Sequence, residues 1–110
     1  MPVLCILSGN GFTKEMYEEL KKEVDWEHNK PKGEIFHAIG FDNSGGYHVV
    51  DIWESEQDFN SFINSTIKPV MDKFNAPMPK AEIIPIHNAN AFQGMESYIV
   101  QIIAIYASIM

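Results

Sequence analysis

The stretch Gly45-Gly46-Tyr47-His48-Val49-Val50-Asp51-Ile52-Trp53-Glu54-Ser55-Glu56-Gln57-Asp58-Phe59 holds a turn, a strand and a helix start in immediate succession. The glycines tolerate the positive φ of a tight turn. Strand alternation then places Tyr47, Val49, Asp51 and Trp53 on one face. Ser55 offers a side-chain oxygen to free backbone donors, and Glu56 and Asp58 sit where the helix dipole is positive. A chain built this way must fold its hairpin onto whatever precedes it and lay a helix across one side of the sheet.

The 110 residues make one domain with a single core. Eight basic residues, all lysine, against fifteen acidic ones give a net charge of −7, and the lysines are scattered, so nucleic acid is excluded as a partner. Cys5 is the single cysteine, which rules out an intrachain disulfide. The start Met-Pro-Val-Leu lacks the basic region and cleavage site of a secretory signal, so the reducing cytoplasm is the expected location.

Val3 to Ser8 is an apolar run ended by Gly9-Asn10-Gly11, which predicts a buried strand and a turn. Thr13 caps a helix over 13–24, where Met16, Leu20 and Val24 make one apolar stripe. Glu34 to Phe41 predicts strand two and Tyr47 to Glu54 strand three, joined by a hairpin across Asp42-Asn43-Ser44-Gly45-Gly46. Helix two starts at Ser55, with a kink or restart at Pro69, which disfavours helical geometry at Lys68 and can sit in the first turn of a continuation. Ala81 to His87 reads as strand four, and Pro85 points to an edge or a bulge.

The order βαββαβ defines an α+β, ferredoxin-like chain, an antiparallel sheet with two helices on one face. The other face needs a cover. It is expected to carry Trp53, Phe41 and Val49, a patch larger than lone chains usually expose, so a homodimer formed through that face follows.

Pro31-Lys32-Gly33-Glu34-Ile35-Phe36-His37, Gly46-Tyr47-His48-Val49-Val50-Asp51-Ile52-Trp53-Glu54-Ser55, Phe59, Phe62, Pro69 and Pro85-Ile86-His87-Asn88 resemble the dimeric α/β-barrel superfamily. They are most similar to the small relatives of antibiotic-biosynthesis monooxygenases. The resemblance covers residues 2 to 88 and implies a domain over 1–88 whose sheet pairs with that of a second copy, leaving a pocket between sheet and helices. It also implies chemistry on a small aromatic or enolisable compound, by a monooxygenase or an isomerase that uses no cofactor. Haem-degrading relatives share a strand-three tryptophan like Trp53, but they ligate iron through a histidine on the following helix, and 56–75 contains none. Haem is therefore disfavoured.

If Asp42 pairs with Gly46, then His37 lies opposite Asp51 and Ile35 opposite Trp53, on one face with Phe41 and Tyr47. The carboxylate would fix the tautomer of His37 and raise its basicity, which suits a general base for a phenolic or α-carbonyl proton. The same couple equally serves as a satisfied structural pair. Tyr47, Trp53 and Phe41 are expected to line a pocket for the ligand, with His87 at its mouth. A non-catalytic dimeric module that binds a small apolar ligand or merely assembles is the other reading. His48 alternates with that face and points to solvent, His28 lies in a polar connection, and Cys5 is a small core residue. The histidines have no local metal-ligand spacing, and neither a phosphate loop nor a nucleophile elbow is present, so no metal is expected.

From Ser97 to Met110 there is no charge and an almost continuous apolar run. It falls short of the roughly 20 residues needed to span a bilayer and lacks a basic polar face, so membrane is excluded as a partner. The extension 89–110 is expected to pack on its own or the partner subunit.

Overall fold

The computed structural model describes residues 1–92. Strand β1 (Val3–Asn10) leads through Gly11 and Phe12 into helix α1 (Lys14–Val24), whose N-cap Thr13 accepts a hydrogen bond from the Met16 amide at 3.1 Å. Strands β2 (Glu34–Phe41) and β3 (Gly46–Trp53) form the hairpin, and the Asp42 amide donates to the Gly46 carbonyl at 2.9 Å. Ser55 caps α2 (Glu56–Phe62) by accepting from the Asp58 amide at 3.0 Å. Each such cap contributes about 1 kcal/mol. Strand β4 (Lys80–Pro85) completes a sheet of order β2-β3-β1-β4, antiparallel throughout. This is the ferredoxin-like arrangement, with the helices on one side.

Strand parity decides the core. Val3, Cys5 and Leu7 of β1 and Tyr47, Val49, Asp51 and Trp53 of β3 are buried together with Leu20, Phe59, Val70 and Met71 of the helices. Trp53 is fully buried and packs its ring against Phe59 and Phe62, with centroids 5.8 and 5.4 Å away. Trp53, Val49 and Phe41 therefore face the helices, contrary to their expected place on the open side. Parity groups these side chains, and the helical aromatics then draw the larger set inward. The open face carries the alternate residues instead: Leu4, Ile6, Phe36, Val50, Ile52 and Ile84.

Three further expectations shift. Glu34, not Ile35, stands opposite Trp53, because a β-bulge between Glu34 and Phe36 inserts Ile35 and turns it outward, 55% exposed. Strand four ends at Pro85, so His87 lies beyond it, although the Ile86 amide still donates to the Pro2 carbonyl at 3.1 Å. Lys68 is helical, at φ −57° and ψ −44°. A π-helical turn over Ile63–Ile67 precedes it, and α3 (Lys68–Lys73) carries Pro69 in its first turn, as the restart required. Pro69 has no amide hydrogen for the Ser65 carbonyl, and its ring would press on that carbonyl in an unbroken α-helix. The wider turn, in which the Lys68 amide reaches the Ile63 carbonyl, relieves the conflict upstream of the proline. The apolar run 97–110 lies outside the described residues. Among those described, no helix is long and apolar enough to cross a membrane.

Candidate functional site

His37 is the centre of a bonded chain between the sheet and α1. Its Nδ1 lies 2.6 Å from Asp51 Oδ1, across the hairpin pair His37↔Asp51. The other Asp51 oxygen, Oδ2, accepts from the Trp53 indole N–H at 3.2 Å. His37 Nε2 lies 2.8 Å from the Tyr17 hydroxyl. A carboxylate only accepts, so Nδ1 carries the proton donated to Asp51, and in the neutral imidazole Nε2 accepts from Tyr17. The result is one path, Asp51 to His37 to Tyr17, with its carboxylate end buried and its phenol end half-buried.

Aromatic rings enclose this path. Tyr17 lies nearly parallel to the imidazole at 6.0 Å, Trp26 meets it edge-on at 5.5 Å, and Phe41 meets Tyr17 at 6.3 Å. Trp26 is delivered by the end of α1, where Asp25 adopts φ 58° and turns the chain back over β2.

The bulge adds a third polar group. Glu34 is swung onto the face of His37 and Asp51, and a ligand atom from each of the three lies within 4.8 Å of the others. Among the described residues, Glu34 has neither a hydrogen-bond nor an ion-pair partner for its carboxylate. Two carboxylates and an imidazole are donors a divalent cation accepts, assembled here across strands rather than by local spacing. Both nitrogens of His37 are already engaged, however, and the cluster reads first as a proton network.

Its electrostatics agree. Burial, and then the neighbouring charge of Asp51, raises the Glu34 carboxyl to about 7. For His37, burial acts to lower the pKa, but the hydrogen bond and charge of Asp51, aided by Glu34, outweigh it and the net shift is upward. Burial and the surrounding carboxylates push the Tyr17 phenol above its ordinary value, so it keeps its proton. Burial likewise pushes the Cys5 thiol up to about 12, which leaves it an inert core residue.

Of the residues expected at the site, His37, Asp51 and Trp53 come together, and Phe41 contributes through Tyr17. Tyr47 does not join them. It packs on Phe12 at 5.2 Å, four residues along β3 from Asp51, and its buried hydroxyl has no partner among the described residues. His87 is exposed beyond β4. His48 lies on the opposite face, as its alternation requires, and meets Asp42 Oδ2 at 2.8 Å. Sequence reasoning missed Tyr17, Trp26 and Glu34. Tyr17 was detectable, since it precedes Leu20 by three residues and Val24 by seven and so shares their stripe. Glu34 was hidden by the bulge. The surface hollow lined by Glu56, Gln57, Asn60, Ser61, Asn64 and Ser65 lies on α2 and its extension, away from this network.

The fold is that of a ferredoxin-like α+β chain, with this cluster enclosed between sheet and helix. A candidate antibiotic biosynthesis monooxygenase from Nitrosomonas europaea superposes with a TM-score of 0.59 at 10% identity, covering 81% of this chain and 94% of that one. A conserved protein from Methanosarcina mazei Go1 gives 0.57 at 14% identity, covering 79% and 94%. A cofactor-independent oxygenase from Streptomyces nogalater gives 0.53 at 9% identity, covering 84% and 97%. At these identities the likeness is one of fold. No family model matches the sequence, and no curated protein matches it significantly.

Proposed function

We propose that this chain is a cytoplasmic, cofactor-independent acid–base enzyme, of oxygenase or isomerase type, acting on a small aromatic or enolisable compound. The observation that carries the reading is the Asp51–His37–Tyr17 path, with contacts of 2.6 and 2.8 Å. Tyr17 holds its own proton too tightly to stand as a free phenolate, so its oxygen accepts the substrate proton only as its hydrogen passes to His37 Nε2. Asp51 stabilises the imidazolium that results. Trp26 and Phe41 pack beside Tyr17 and His37 and give the path an apolar aromatic setting. Likeness in fold to a cofactor-independent oxygenase supports the same chemistry. His37→Ala should lower turnover of a phenol and quinone panel by about 10²–10⁴-fold. Unchanged turnover removes the base.

The complete bonding of His37 favours a second reading, a non-catalytic dimeric module with a satisfied structural pair. The same variant separates the two, since a module shows no turnover to lose. Either way, the open face supports a homodimer: Phe36, Val50 and Ile84 are each about 40% exposed there. Light scattering at micromolar concentration should give the mass of two chains, and Val50→Asp with Ile84→Asp should give one.

A further inference from the structure

We propose that Glu34 is a second proton-transfer group, and that the site moves a proton between two carbons of a β,γ-unsaturated carbonyl compound, bringing the double bond into conjugation. This rests on the acid–base reading above and assigns the substrate class. The geometry is set by the bulge, which brings Glu34 onto the face of His37 and Asp51 with ligand atoms of all three within 4.8 Å. In a regular strand Glu34 would point to the open face with Phe36.

The chemistry closes without an oxidant. The C–H bond between carbonyl and alkene breaks, its proton passing by way of Tyr17 to His37, and its electron pair spreads into a dienolate. Glu34, in its acid form, gives its proton to the γ carbon. A new C–H bond forms there as the C=C bond moves next to the carbonyl. The site is then left with an imidazolium beside a carboxylate, and transfer of one proton from His37 to Glu34 restores both. That reset needs the two groups to be neighbours, which is what the bulge provides. Two further features agree with an acid at this position. The Glu34 carboxyl lacks any bonded partner among the described residues, which would otherwise hold it as the anion. Burial and Asp51 keep a substantial share of it protonated near neutrality.

The test uses cyclohex-3-en-1-one in D2O, following deuterium uptake between carbonyl and alkene by NMR and conjugated product by ultraviolet absorbance. The full chain should do both. Glu34→Gln should raise the ratio of exchange to isomerisation at least tenfold, because removal of the proton outlives its return. An unchanged ratio overturns the role of Glu34 and leaves the base standing. His37→Ala should lose both signals, and exchange at the wild-type rate in that variant overturns the base reading itself. Absence of exchange by the wild-type chain overturns both. Activity that a chelator abolishes and a divalent cation restores overturns the proton-transfer role in favour of a cation at the same three residues.

Discussion

The β2–β3 hairpin carries the same couple at two places. His37–Asp51 spans the strands on the helix side at 2.6 Å, with side chains 24% and 8% exposed. His48–Asp42 sits by the turn on the open side at 2.8 Å, with side chains 61% and 39% exposed. The residue types and distances barely differ, so the contact alone says nothing of role. Surroundings do. At the turn, Asp42 also accepts from the amides of Ser44 and Gly46 at 2.9 and 2.8 Å, and it works as a loop clasp in water. Across the strands, Asp51 bonds only His37 and Trp53 among the described residues, and a second carboxylate stands beside it. One couple shapes a turn, and the other ties two strands together inside the core beside a second carboxylate.

The sharpest way to break this contrast is truncation. Asp51→Ala strips the acceptor from both the imidazole and the indole in the core, and should cost about 3 kcal/mol in urea unfolding. Asp42→Ala leaves its partners facing water and should shift the midpoint far less. Equal losses would make burial irrelevant to the difference.

The pH dependence should have opposite signs at the two places. Glu34 is raised from an ordinary 4.5 to about 7, so the folded chain holds that proton longer than the unfolded one, and its contribution is lost as pH rises across that interval. His37, raised above 6.5, contributes fully below that value and is lost as pH rises through its folded pKa. Asp42 is held below its ordinary 3.8, chiefly by the hydrogen bond from His48, and its contribution disappears as pH falls below that range. Thermal melts from pH 3 to 9 should therefore peak in mild acid, and Glu34→Gln should flatten the slope between about 4.5 and 7. NMR titration should show a smaller effect: in Asp51→Asn, His37 falls below its wild-type pKa, because burial then acts with less opposition. A wild-type titration below 6.5 would reverse the assigned balance.

Smallest of all is the response to salt. About 1 M NaCl shortens the screening length to about 3 Å, and it should weaken the exposed couple while leaving the buried one intact.

The element order, both helix caps and the His37↔Asp51 register were legible because each follows from local rules: capping oxygens, turn glycines and period-two alternation. Three things were not. Which face the helices cover depends on Phe59 and Phe62 meeting Trp53, a contact distant in sequence. The bulge at Ile35 leaves no mark in a run that already alternates poorly, so Glu34 went unseen. Tyr17 was visible as part of a stripe but not as the partner of His37, since a stripe reports burial and not hydrogen bonding.

The widened turn over Ile63–Ile67 bears on how the chain tolerates changes in length. Wound as uninterrupted α-helix, the same residues would advance everything after them by about 100° and 1.5 Å. Met71 would then rotate toward solvent and Pro69 toward the interior. Losing one residue from the turn is thus the benign alteration, since a shorter coil would deliver the downstream half to its present seat. Gaining one there would have no comparable slack to absorb it.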